Sequence, residues 1–278
     1  MEYKDILETY EQKRLEMYKA YQSNLKKGFL LLIVLVGIYF LAKAGQIASE
    51  YRKITKTKII KALIESRYDD AQYNHLDSIS IAHINSLNFY NRPDRFKGED
   101  LMKGTYKGVK FACSDIHMEE RVEHRDSKGH VTYSYQTIFK GRWYTFDYER
   151  DFGQILQIKE GRFVGAAAKG LKKYETESVQ FNKKFKVFAS DQQYVFFQLT
   201  PVMLEKILEM ESIHRGHYQM MYYGNHLDVA VYDSSDSFEL KLKTPLTMEA
   251  IGHIINDIDM PAAIINEFKL DSEKFRKQ

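Results

Sequence analysis

An α+β fold is predicted by three features of this chain. Gly28 to Ala42 is apolar without interruption, residues 100–158 alternate in a strand-like pattern rich in aromatics, and the last hundred residues carry capped helical patterns. The expected architecture is an N-terminal helix and a single transmembrane helix, followed by a β-rich aromatic domain with C-terminal helices. In boundaries this reads as an amphipathic helix over 1–27, a span over 28–48, a basic juxtamembrane helix over 49–68 and a soluble α+β domain over 69–278.

The span rests on length and flanking charge. The uninterrupted run rises about 22 Å as a helix, short of a hydrocarbon core of about 30 Å. Extension through Ala44, Gly45, Ile47 and Ala48 brings it to about 31 Å and places Lys43 where it can snorkel to the headgroups. Lys26 and Lys27 bound the other side. A buried core helix and a cleaved signal peptide compete, the latter because Ala42-Lys43-Ala44 is an A-x-A pattern. Glu2, Asp5, Glu8, Glu11 and Glu16 make a poor signal n-region. Residues 29–41 have no polar face, which argues against an interfacial helix.

Ahead of the span, Tyr3, Ile6, Leu7, Tyr10, Met17, Tyr18, Tyr21 and Leu25 recur at helical steps, with Arg14 interrupting the stripe. This stripe suits a helix continuing into the span, or a contact between copies. After the span, Tyr51, Ile54, Ile59, Leu63 and Ile64 continue the helical pattern among basic residues. Leu76, Ile79, Ile81 and Ile84 predict a short helix or strand, and residues 88–94 a turn-rich loop.

Strands are then expected over 105–113 around a turn at Lys107-Gly108, over 116–123, over 131–139 and 142–148 around Lys140-Gly141, and over 155–158. Residues 159–173 read as a glycine- and alanine-rich basic loop. Val179 to Ala189 reads as a strand with a bend at Asn182-Lys183, and Asp191 as a cap. Thr200-Pro201 starts a helix. Gly224-Asn225 turns a hairpin between 218–223 and 227–232. Phe238, Leu240 and Leu242 form one more strand, and two helices over 247–258 and 261–270 close the chain.

Two blocks resemble a known family. Gly98-Glu99-Asp100-Leu101-Met102-Lys103-Gly104-Thr105 with the hairpin after it, and the stretch from Glu177 to Asp191 followed by Leu199-Thr200-Pro201, are similar to blocks of the bacterial domain of unknown function 3137. The Phe139-Lys140-Gly141 step fits between them. The resemblance extends from about Ile47 to the C-terminus. It implies a bacterial membrane-anchored α+β domain behind one or two hydrophobic segments, and no particular activity.

Composition narrows the chemistry. The formal net charge of +3 is too small to argue for nucleic acid, and none is expected as a partner. The single cysteine, Cys113, excludes an intramolecular disulfide and a cysteine zinc site. It also tilts the soluble domain toward the cytoplasm, since basic residues on the two sides of the span tie. There is no nucleophile elbow, phosphate-binding loop, dinucleotide fingerprint or His-Glu-x-x-His.

No catalytic residue, cofactor or metal is therefore assigned. His214-x-x-His217 with His226 is the best local histidine cluster, and Asp233, Asp236 and Glu239 make an acidic turn rather than a calcium loop. The leading expectation is a non-catalytic binding or scaffold module at the bacterial cell membrane. An enzyme using Glu99, Asp100 or Asp191 is the first alternative. Anionic-lipid binding through Lys53, Lys56, Lys58, Lys61, Arg162, Lys169, Lys172 and Lys173 is the second. The expected partners are membrane lipid, other membrane or cytoplasmic proteins, and a second copy through the N-terminal helix.

Overall fold

The computed structural model describes residues 3–31, 36–161, 170–213, 216–234 and 237–277. The chain forms two compact units, Met1–His75 with Ser237–Met260, and Leu76–Asp236 with Pro261–Gln278.

In the first unit, α1 (Tyr3–Leu30) and α2 (Val36–Ile54) fold back on each other. The Gly37 amide donates to the Leu31 carbonyl, and Lys27 lies over the Phe40 ring. Small residues allow the approach. Gly28, Gly37 and Ala44 are buried, and a Cβ on Gly28 would come within 2.7 Å of the Leu41 side chain. The expected continuous span over 28–48 is thus corrected. Its apolar run is divided between the ends of two antiparallel arms, and no described helix is long and apolar enough to cross a membrane.

The stripe on α1 is used within the chain. Ile6 and Leu7 are buried, and so is Arg14. The Arg14 guanidinium pairs with Glu11 at 2.9 Å and donates to the Leu242 carbonyl at 2.8 Å, while Glu11 accepts from the Leu246 amide. The residue that interrupts the apolar pattern therefore ties α1 to the returning segment. Beyond α2 the helix widens into a π-helical stretch, Thr55–Ile60, and resumes as α3 (Lys61–Arg67) before the short strand β1 (Asp69–Asn74). The Tyr68 hydroxyl donates to the Ile258 carbonyl. The strand expected at 238–242 does not form. Phe238 is fully buried with φ of 61°, a left-handed conformation that breaks any extended run.

The second unit holds β2 (Arg95–Tyr106), β3 (Val109–Arg125), β4 (Val131–Asp147), β5 (Ile155–Glu160), β6 (Lys172–Tyr174), β7 (Phe185–Ala189), β8 (His217–Tyr223) and β9 (His226–Tyr232). Its sheet runs in the order β2-β3-β4-β9-β8-β5-β7-β6, antiparallel at each pairing. The helices are α4 (Ile81–Ser86), α5 (Val179–Lys184), α6 (Gln192–Gln198) and α7 (Pro201–Ile213). The last helix, α8 (Gly252–Glu267), begins in the first unit and ends in the second.

Cross-strand partners share a face. One face carries the row Cys113, Tyr144, Val229, Met220, Ile158 and Val187, all buried. The other carries Met118, Phe139, Trp143, Ala230 and Met221, which cluster with Ile79, Ile84, Leu87 and Phe89 from α4 and its flanks.

Four local expectations need correction. Lys140-Gly141 is no turn: β4 passes straight through it, and a Cβ on Gly141 would meet the Val231 carbonyl at 2.0 Å. Glycine is required there by close approach of β9. Residues 179–184 are helical, because Ser178 caps α5 by accepting from the Phe181 amide and the Asn182 side chain ties back to Thr176. Lys159 is in β5 rather than a loop. The two closing helices are one, with Pro261 inside α8.

Candidate functional site

Asp228 is the hub of the polar chemistry in the second unit. It lies on β9 between Thr145 of β4 and Met221 of β8, and is fully buried. Three donors converge on its two oxygens. The Trp143 indole N–H donates to Oδ1 at 2.7 Å, the Tyr223 hydroxyl donates to Oδ2 at 2.8 Å, and His83 Nε2 lies 2.9 Å from Oδ1. A buried carboxylate is stable only with such a set of partners.

His83 is delivered by α4. Ser80 caps that helix by accepting from the His83 amide, which fixes the turn from which the ring reaches across to β9. The hydrogen bond to Asp228 raises the His83 pKa above its ordinary value, against the opposing effect of burial. The His83 side chain keeps 31% of its surface in contact with solvent, so the buried Asp228 carboxyl is joined to the outside through that ring. Beside it the Tyr223 ring meets the His226 ring at 5.3 Å, and His226 Nδ1 lies 2.6 Å from Asp147 Oδ1.

The arrangement can hold and release a proton at the partly exposed His83 ring. Its described partners include no serine, threonine or cysteine on the ring, so the nucleophile of a hydrolytic triad is not among them. Among the described residues, no group of three or more His, Cys, Asp or Glu side chains could hold a metal ion.

The histidines singled out by spacing do not assemble. His217 begins β8 and pairs with Glu160 at 3.1 Å, whereas His226 begins β9 across the hairpin from Tyr223. The two sit at opposite ends of that hairpin, roughly 20 Å apart at strand rise. His214 lies outside the described residues.

Asp191 is also separate from the adjacent Glu99 and Asp100. Asp191 accepts from the Tyr194 amide at 2.8 Å and caps α6. Glu99 pairs with exposed Lys97. Asp100 is fully buried with φ of 60°, where the β2–β3 register shifts. Six strand spacings, roughly 29 Å, separate β2 from β7, which leads to Asp191.

The basic residues divide as well. Lys56 is buried and pairs with Glu239 at 3.2 Å, so it is not available to a headgroup. Lys61 pairs with Glu65, and Lys173 with Glu175. Lys53, Lys58 and Lys172 are exposed, and Arg162 and Lys169 lie outside the described residues, as does Asp236 of the acidic turn. Lys159, fully buried in β5, has its pKa pushed down to about 8 by burial.

Sequence reasoning missed the hub because its members are unremarkable singly. His83 is one histidine in a weak pattern, and Asp228 one acid within an apolar strand. An acid amid Leu227, Val229, Ala230 and Val231 was the available signal, since such a position is buried on either face.

Fold and site together define an antiparallel α+β domain with a polar hub under one face. Residues 137–270 match the family described as "Protein of unknown function (DUF3137)", which bears out over that stretch the resemblance read from the sequence. The block at residues 98–111 lies ahead of the match. No curated protein matches the chain. A solved structure that resembles it is the crystal structure of the mycobacterial trehalose monomycolate transport factor A, TtfA. That likeness has 8% identity and a TM-score of 0.39, covering 72% of this chain and 92% of that one.

Proposed function

We propose that this protein is a non-catalytic binding module attached to the bacterial membrane by the end of its α1–α2 hairpin, with its folded part on the cytoplasmic side. The observation that carries the reading is the make-up of that end. Phe29 and Leu30 on one arm and Ile38 and Tyr39 on the other are large, apolar and 56–81% exposed. Lys26 and Lys27 follow on the first arm and Lys43 on the second. Such a pattern suits an apolar wedge with a basic collar at headgroup level.

Length favours dipping over spanning. From Gly37 to Ala42 the second arm rises about 8 Å, against about 30 Å for a hydrocarbon core and 5–10 Å for an interfacial element. A hairpin end has no need of the polar face that a helix lying flat requires. The separation of Asp191 from Glu99 and Asp100 supports the non-catalytic reading. Pairing of Lys56, Lys61 and Lys173 with acids weakens the case for a dedicated headgroup site.

The test is co-flotation of the full chain with vesicles containing anionic lipid. The wild-type chain floats. Phe29→Glu with Ile38→Glu stays at the bottom of the gradient while keeping its circular dichroism. Flotation of that variant at the wild-type level sinks the proposal.

A further inference from the structure

We infer that a second copy of this chain pairs with β4 along its outer edge at residues 131–137. Beyond Glu119 the β3–β4 pair leaves the sheet as a two-stranded ribbon. β2 reaches only to the Arg95–Glu119 pair, and β9 accompanies β4 only from Gly141 onward. Among the described residues, 131–137 therefore pair with β3 alone. An open strand edge presents a row of backbone donors and acceptors that is a ready template for another strand.

The two edges of the ribbon differ. The β3 side reads Glu-Glu-Arg-Val-Glu-His-Arg over 119–125, and Asp94 closes its root by accepting from the Arg121 amide at 2.7 Å. Charges and a covering loop are the devices that blunt an edge. The β4 side reads Val-Thr-Tyr-Ser-Tyr-Gln-Thr, with no charge, no proline and high strand propensity. Val131, Tyr133 and Tyr135 are exposed, with Arg121 over the Tyr133 ring and Arg95 over the Tyr135 ring.

Self-pairing is favoured over a foreign strand because this run is complementary to itself. A two-fold axis perpendicular to an antiparallel pair must place one residue opposite its own copy, since facing residues share a side of the sheet. The centre of the run is Ser134, a small residue. That register sets Tyr133 opposite the second copy's Tyr135, Thr132 opposite Gln136, and Val131 opposite Thr137. Aromatic cross-strand pairs then flank the axis, and no like charges meet along the run.

The experiment uses the full chain in mild detergent, followed by sedimentation. Wild type is a concentration-dependent dimer. Ser134→Lys, which puts two ammonium groups face to face on the axis, raises the dimer Kd about tenfold or more, while Ser134→Thr leaves it in place. Ser134→Cys forms a covalent dimer under mild oxidation and Lys128→Cys at the ribbon turn does not. Cys113 is buried and serves as the silent background. If Ser134→Lys proves misfolded by circular dichroism, the cross-linking pair alone decides. A monomer at all concentrations, a dimer untouched by a folded Ser134→Lys, or equal cross-linking from both cysteines overturns the inference.

Discussion

At the scale of the residue, Asp228 and His83 carry the most consequence. Asp228 is fully buried and surrounded by three donors. Asp228→Asn turns one acceptor into a donor that faces donors. It is expected to lower the unfolding free energy by about 2–4 kcal/mol in urea titrations, with altered Trp143 fluorescence. His83 gives a pH signature. Its folded pKa is raised, so its contribution is complete below the unfolded value of about 6.5 and is lost as pH rises through the folded value. The urea midpoint should therefore fall as pH rises above about 6.5. His83→Gln should remove that slope, and an unchanged slope would show that another group is responsible. Buried Lys159, with its pKa lowered to about 8, acts with the opposite sign above that pH, since the unfolded chain there binds the extra proton.

At the scale of the element, what was legible in the sequence was whatever local chemistry dictates. The Lys107-Gly108 and Gly224-Asn225 hairpins, the Asp191 cap and the Thr200-Pro201 start all stand where turn and cap residues put them. What was not legible depended on distant neighbours. Gly141 looked like a turn residue because its reason, the Val231 carbonyl, sits on a strand ninety positions away. The α5 stretch alternates like a strand because Phe181 and Phe185 are both buried, one from the helix and one from β7. Asp191→Ala should cost about 1 kcal/mol and nothing else, as befits a cap. Gly141→Ala should cost about 2 kcal/mol or more by overpacking, whereas alanine at a free turn would be tolerated. Thermal melts of the two variants distinguish these outcomes.

At the scale of the whole molecule, the decisive feature is the division of one apolar run between two antiparallel helices. A run of apolar residues flanked by lysine reads alike whether the helix continues or reverses. The reversal depends on Gly28, Gly37 and Ala44 letting two backbones approach, and small residues in an apolar run carry little signal by themselves. In the attachment proposed above, the same division makes the hairpin end a wedge with both arms on one side of the membrane. The most direct test places an environment-sensitive fluorophore at Ile38→Cys or, separately, at Ser49→Cys in the full chain. Vesicles with anionic lipid are expected to shift the Ile38 probe to the blue, with shallow lipid-borne quenchers reaching it, while the Ser49 probe stays in water. An Ile38 probe indifferent to vesicles, or one reached best by quenchers at the bilayer centre, would contradict it.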